Sequence, residues 1–348
     1  MLDFTLSGKD YFDSLPQPVL LYGATIEYCN GAAQALFSGL GIPLEAGAPV
    51  PEPLPPAEQG PCALTVRLSS RSWAAVLRPL EGRTLCQLSP LPEETELEPL
   101  RHLAGELRTR FSNTALWLEQ LQKELSELEQ QRSREKVSSL NRSFHQLLRL
   151  MDHLDLYTRS EAELSTLYPS ATVDLVSLCE EVSASVGPLT RQMGRQFSLE
   201  CAPEPCLVQA NRKLLFRLLC NLISNALEAG GDLNLRLTKQ GDRALLTLRD
   251  TGGGIAPSVL SALFSPEQKE GRLTLGLSLC RRIAEFSGGQ IMAVGGEADT
   301  AVSLSLPLCP EDETLHAEHT SMENGYSILL TELSDVLPPE LYYVDDVF

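Results

Sequence analysis

Positive charge is scarce in this chain. It has 28 Lys and Arg against 46 Asp and Glu, a formal net charge of −18. A field of that sign repels phosphates, so nucleic-acid binding over the whole surface is excluded. Long apolar runs are missing too: none reaches the roughly 18 residues a membrane-crossing helix needs. The opening, MLDFTLSGKD, lacks a basic stretch followed by an apolar one, so no signal peptide is expected. The nine cysteines contain no CxxC pair, and the nearest two are Cys201 and Cys206. Zinc sites and disulfide frameworks use tighter, repeated spacing, so these read as reduced, mostly buried thiols. No histidine precedes His102, which excludes a His-ligated haem from the first part of the chain. No flavin-adduct cysteine motif occurs there either. These absences describe a soluble, cytoplasmic protein.

What is present divides the chain. Its 348 residues suggest two or three domains, and 43% hydrophobic residues suffice for ordinary cores. The acidity is concentrated at the end. No Lys or Arg follows Arg282, and the ten Asp and Glu from Glu311 onward carry −10 of the −18. Residues 310–348 therefore read as an acidic tail, mobile or loosely docked. Its last part holds Ile328, Leu329, Leu330, Leu333, Leu341, Tyr342, Tyr343, Val344 and Phe348. That pattern suits docking on a partner or on the chain's own body. Prolines mark other boundaries. APVPEPLPP at 48–56 cannot be helix or central strand. PLPEETELE, beginning at Pro90, reads as a turn before a helix start, which closes a first domain at 1–92.

In that first domain, Pro18 to Ile26 predicts two short strands around a Gly23 turn. A helix follows over Asn30 to Leu40, with Ala33, Leu36, Phe37 and Leu40 at helical spacing. Further strands are expected at Cys62–Leu68, Ser72–Leu77 and Thr84–Leu88. This order, opened by LPQPVLLYGATIEYCNGAAQALF with Asn30 in its place, resembles a PAS sensor domain. The resemblance implies a ligand-binding or dimerising sensor; a packed domain with no ligand is the other reading.

Two apolar heptad runs come next. One has Ala104, Leu107, Phe111, Leu118, Leu121, Leu125 and Leu128; the other has Val137, Leu140, Phe144, Leu147, Met151 and Leu154. QQRSREK separates them. The spacing predicts an antiparallel helical hairpin over 97–160 whose seam needs a second hairpin, giving a homodimeric four-helix bundle. Within the first run, LRHLAGELRTRFS resembles the phosphoacceptor box of the sensor histidine kinases, in which His precedes Glu-Leu-Arg-Thr-Pro. Glu106 and Thr109 match it, but Gly105 stands at the acceptor position and Arg110 at the proline. Phosphoryl transfer of this kind needs an imidazole nucleophile with a carboxylate to orient it. Glycine offers neither. His102, one helical turn earlier, is a substitute acceptor or a flank residue. Glu106 and Thr109 are either ordinary exposed helix residues or, as the resemblance implies, kept for dephosphorylating a receiver, with Thr109 orienting the water. His145 and His153 lie beside the second seam and read as packing or surface residues.

The most specific pattern spans 170–309. NRKLLFRLLCNLISNALEA, starting at Asn211, has Leu214, Leu215, Leu218, Leu219, Leu222 and Ile223 along one helix face. Asn221 and Asn225, four apart, stack on one face. NLxxNAxxA is similar to the N-box of the GHKL ATPases. The resemblance makes Asn225 the Mg²⁺ ligand and Asn221 a support for the ATP phosphates; neutral amides offer oxygens while the metal keeps waters. A strand at Ala244–Leu248 leads into DTGGGI, similar to the family's DxGxG box. There Asp250 would meet the adenine amino group, and Gly252 and Gly254 would let backbone approach the nucleotide before Ile255. LTLGLSL resembles the family's GxGLGLS phosphate cradle, with Leu275, Gly276 and Leu277 kept and Thr274 replacing a glycine. In the short lid between these boxes, Lys269 is a phosphate contact or a solvated charge. AEFSGGQIMAVGGEADTAVSLSLPL resembles the family's closing helix, turn and two strands.

The expected fold is thus multidomain α+β: a PAS-like α/β domain, a helical hairpin, and a GHKL α/β sandwich that binds ATP and Mg²⁺. Gyrase-type relatives place a Glu base where Asn221 stands, so hydrolysis as the main task is not expected. The favoured reading is an ATP-binding signalling protein that lacks the acceptor His and addresses a response-regulator receiver. An active kinase using another acceptor such as His102, and a non-catalytic scaffold, are the alternatives.

Overall fold

A computed structural model describes residues 12–57, 60–69, 71–80, 82–91, 131–201, 204–254, 267–269, 272–295, 299–309, 322–323 and 326–342. Of 131–134, 267–269, 272–274 and 322–323 it describes the backbone alone. The N-terminal part runs β1 (Val19–Tyr22), β2 (Ile26–Cys29), α1 (Gly31–Gly39), β3 (Cys62–Leu68), β4 (Arg71–Leu80) and β5 (Arg83–Pro90). The turn after β1 takes three residues, closed by Gly23 N donating to Thr25 O. The second strand therefore begins at Ile26 instead of ending there.

Asn30 explains where α1 starts. Its Oδ1 accepts from Ala33 N at 2.9 Å, capping the helix, and from Val19 N at 3.0 Å, fixing the start of β1. Its Nδ2 donates to Phe12 O and Gln17 O. The side chain is fully buried, and its amide is satisfied on both ends, as burial requires.

The C-terminal part runs α2 (Gln131–Thr158), α3 (Glu161–Leu167), β6 (Ala171–Asp174), α4 (Leu175–Gln192), β7 (Phe197–Cys201), β8 (Leu207–Ala210), α5 (Arg212–Ala229), β9 (Leu233–Gln240) and β10 (Arg243–Asp250). A small hairpin, β11 (Glu267–Lys269) and β12 (Arg272–Thr274), follows. Then come α6 (Gly276–Phe286), β13 (Gln290–Gly295), β14 (Thr300–Pro307) and α7 (Ile328–Glu332), with a 3₁₀ turn at Pro339–Tyr342. Alternation on β9 and β10 turns Leu233, Leu235, Leu237, Ala244, Leu246 and Leu248 into one core with the apolar face of α5.

Two findings join segments that are far apart in sequence. First, the N- and C-terminal strands form one ten-stranded sheet, ordered β2-β1-β5-β4-β3-β13-β14-β10-β9-β7. Its two halves meet where β3 pairs antiparallel with β13, with Ala63 opposite Ala293. Both residues are at most 1% exposed. Each strand ends its own half-sheet, and pairing them satisfies backbone groups that an open edge leaves unbonded. Second, the acidic tail is docked over 326–342. Ile328, Leu333, Leu337 and Tyr342 are buried in the same core as α5.

The first heptad run lies outside the described residues. The second is α2. Val137, Phe144, Met151 and Leu154 are buried, whereas Leu140 and Leu147 are exposed. Phe144 meets Tyr326, so part of the expected seam is covered by the chain's own tail. All nine cysteines are free, six of them buried. Among the described residues no helix is long and apolar enough to cross a membrane, and no His, Cys, Asp and Glu cluster could hold a metal ion.

Candidate functional site

The site is assembled by the end of α5, the end of β10 and the start of α6. Asn211 caps α5, its Oδ1 accepting from Leu214 N at 3.1 Å. The helix ends at Gly230, whose φ of 88° only glycine adopts without strain. Between these ends, Asn221 is buried and Asn225 half-buried, with Asn225 Nδ2 3.4 Å from Asn221 Oδ1.

β10 delivers Asp250, a buried carboxylate whose Oδ1 accepts from Gly252 N at 3.0 Å. Burial pushes its pKa up, the Gly252 hydrogen bond opposes this, and Asp299 adds to it. The glycines are spatial requirements here. A Cβ on Gly252 would stand 2.8 Å from Ala229 and 2.9 Å from Asp250 Oδ1. A Cβ on Gly276 would stand 2.7 Å from Asn221 Oδ1. The end of α5 at Ala229 therefore lies against the Asp250 loop, and the Asn221 side chain in the middle of α5 lies against the first residue of α6, too close at either place for a Cβ. Gly254 has a φ of 69°. Leu275 precedes α6 with no side-chain cap, so the first amides of α6 are not bonded by the preceding side chain. Leu275 itself is buried against Leu154 and Tyr157 of α2, and Leu277 is half-buried.

The structure thus brings together Asn221, Asn225, Asp250, Gly252, Gly254, Leu275, Gly276 and Leu277. These residues fit a nucleotide: two amides and a carboxylate stand together, and at Gly252 and Gly276 there is no room for a side chain beside Ala229, Asp250 and Asn221. Lys269 and Thr274 lie on the β11–β12 hairpin, where only backbone is described. Ile255, His102, Glu106, Thr109 and Gly105 lie outside the described residues.

Behind Asn221 stands a charged cluster that the sequence reading missed. Glu332 of α7 is fully buried. Its Oε1 accepts from Arg217 Nη1 at 2.8 Å, and its Oε2 lies 2.7 Å from His153 Nε2 and 3.4 Å from Arg149 Nε. Arg217 also donates to Asp152 at 3.1 Å. Burial alone would raise the Glu332 pKa, but His153, then Arg217 and Arg149, bring it down to about 2. His153 Nε2 is in turn 3.3 Å from Asn221 Nδ2. One signal for this cluster was legible: Arg217, Asn221 and Asn225 are spaced by four, so the polar stripe of α5 begins with an arginine amid leucines. A buried arginine needs a carboxylate. His145 is a packing residue, its Nδ1 3.0 Å from Thr331 Oγ1, and burial lowers its pKa to about 4.

Residues 210–310 match the family described as histidine kinase-, DNA gyrase B-, and HSP90-like ATPase. The alginate biosynthesis sensor protein KinB of Pseudomonas aeruginosa is 28% identical over 206 residues, 57% of this chain and 34% of that protein. The sensor protein SphS of Synechococcus elongatus is 30% identical over 218 residues, 58% of this chain and 48% of that protein. The chain therefore spans a third to a half of the length of these relatives. Full-length ShkA, solved in complex with AMPPNP, shares the fold with a TM-score of 0.51 at 22% identity, over 63% of this chain and 47% of that one. With an ATPase-type domain matched over residues 210–310 and sensor proteins among its relatives, the chain is similar to the sensor histidine kinases.

Proposed function

We propose that this chain binds Mg-ATP between α5, Asp250 and α6, and couples an N-terminal sensor unit to a response-regulator receiver without the usual phosphoacceptor histidine. The observation that carries the reading is the convergence of Asn221, Asn225, Asp250 and the two cradle glycines on one site. In it, Asn225 holds Mg²⁺, Asn221 and the first amides of α6 hold phosphate oxygens, and Asp250 accepts from the adenine amino group. Bound ATP supplies a transferable phosphoryl group. The acceptor position is Gly105, which has no nucleophile.

The domain plan is 1–92 PAS-like, 97–160 a dimerising hairpin, 170–309 the ATP domain and 310–348 the tail. Five strands with a helix after the second support the PAS-like part. Exposed Leu140 and Leu147 on α2 support a homodimer through the hairpin. The absence of a membrane-crossing helix among the described residues fits a cytoplasmic setting.

The test is incubation with Mg²⁺ and γ-labelled ATP, with Gly276→Arg as the control that blocks the cradle. The expected result is ATP binding that the control loses, with no acid-labile phosphate on the protein. Labelling that vanishes in His102→Ala would replace this reading with an active kinase using a shifted acceptor. No ATP binding would leave a non-catalytic scaffold.

A further inference from the structure

Glu332 is 179 residues from His153 in sequence, yet its carboxylate completes the surroundings of the nucleotide-facing Asn221. The hydrogen-bond chemistry there is over-determined. Glu332 sits among Arg217, Arg149 and His153 and is ionised, so it only accepts. At 2.7 Å from its Oε2, His153 Nε2 must carry the hydrogen and donate it. A ring N–H has no lone pair left, while Asn221 Nδ2 stands 3.3 Å from the same nitrogen. Two donors facing each other repel. A half-turn of the Asn221 amide removes the conflict. Oδ1 then takes the longer arm of a three-centre bond from the Nε2 hydrogen that Glu332 holds, and the NH₂ turns toward Gly276 and toward Asn225, whose amide turns with it so that its own Oδ1 accepts. In that setting Asn221 offers donors to the cradle, which suits phosphate oxygens.

The same carboxylate is delivered by a docked segment. Asn141 Nδ2 donates to Tyr342 O at 2.7 Å, and Arg142 donates to Ser334 O and Asp335 O at 2.8 Å each. Arg149 pairs with Asp335. Residues 328–342 thus strap α2 to α5 across Asn221.

We propose that Glu332 and His153 are positioning residues of the nucleotide site: the docked segment sets the Asn221 amide with its NH₂ toward the phosphates, so docking and nucleotide binding reinforce each other. This rests on the ATP-site reading above. Linkage makes the coupling reciprocal: whatever factor the docked segment adds to ATP affinity, ATP adds to docking.

Two measurements on the full chain test it. A titration with a fluorescent ATP analogue and Mg²⁺ compares wild type with Glu332→Ala and His153→Phe, after circular dichroism shows each variant folded. About tenfold weaker binding in both is expected, the usual scale of such coupling. Hydrogen exchange of wild type, which needs no variant, then follows residues 328–342 with and without saturating Mg-ATP. Slower exchange of that segment on ATP binding is expected, a change that a merely structural ion cluster would not give. Wild type that binds ATP with no change in protection at 328–342, or variants that bind as tightly as wild type, would overturn the proposal alone. Wild type that binds no ATP would sink both it and the ATP-site reading.

Discussion

Replacing Glu332 by Gln tests the charged cluster as a source of stability. The substitution keeps the shape and removes the charge. In the native protein Glu332 faces Arg217 at 2.8 Å, His153 at 2.7 Å and Arg149 at 3.4 Å, with no exposure to solvent. Burial opposes the ionised form, and these three partners overcome it, bringing the pKa from an ordinary 4.5 to about 2. That displacement corresponds to about 3 kcal/mol of stability at neutral pH. The figure agrees with the roughly 3–5 kcal/mol lost when one member of a buried pair is removed and the other left charged. The folded-state pKa is depressed, so the contribution is complete above 4.5 and is lost as pH falls toward 2. The amide in the Glu332→Gln variant does not titrate. Hydrogen exchange at pH 7 should show residues 328–342 opening about a hundredfold more often in the variant, because about 1.4 kcal/mol is a factor of ten. Thermal unfolding from about pH 6 down to about pH 2.5 should show a stability loss across the interval between the two pKa values that is steeper in wild type than in the variant. Equal opening at pH 7, together with identical acid limbs, would refute the assignment of Glu332 as an ionised, stabilising group.

Other substitutions probe separate parts of the chain. Gly276→Ala should weaken ATP-analogue binding by about tenfold or more, since the added methyl meets the buried Asn221 amide at 2.7 Å. Unchanged affinity would count against the cradle. Asn30→Ala removes a helix cap together with the hydrogen bonds that the amide makes to Val19 N, Phe12 O and Gln17 O. A loss of about 2–3 kcal/mol in urea unfolding is expected, and a loss below about 0.5 kcal/mol would mean the amide is not the tie between β1 and α1.

Short-range patterns carried much of the fold. The α5 helix was legible because six apolar residues share one face and Asn221 and Asn225 stand four apart. The Asp250 loop and the start of α6 were legible because glycines occur where backbone segments must touch. The second heptad run gave α2, and alternation with turn residues gave β3, β4 and β5 to within a few residues. Each of these signals lies within a dozen or so neighbouring residues, the range over which helix and strand periodicity operate.

What joins distant segments needed the tertiary structure. The pairing of β3 with β13 uses backbone hydrogen bonds, which any two edge strands can form, so no side chain announced it. Glu332 looked like one of ten acidic residues in a tail, because its partners Arg149, His153 and Arg217 stand 115 to 183 positions away. Whether a charge is solvated or buried among counter-charges depends on what folds around it, and only the docked segment decides that. The residue types of the site were written in the sequence; the hydrogen-bond logic behind Asn221 arises from the burial of Glu332, which the fold alone supplies.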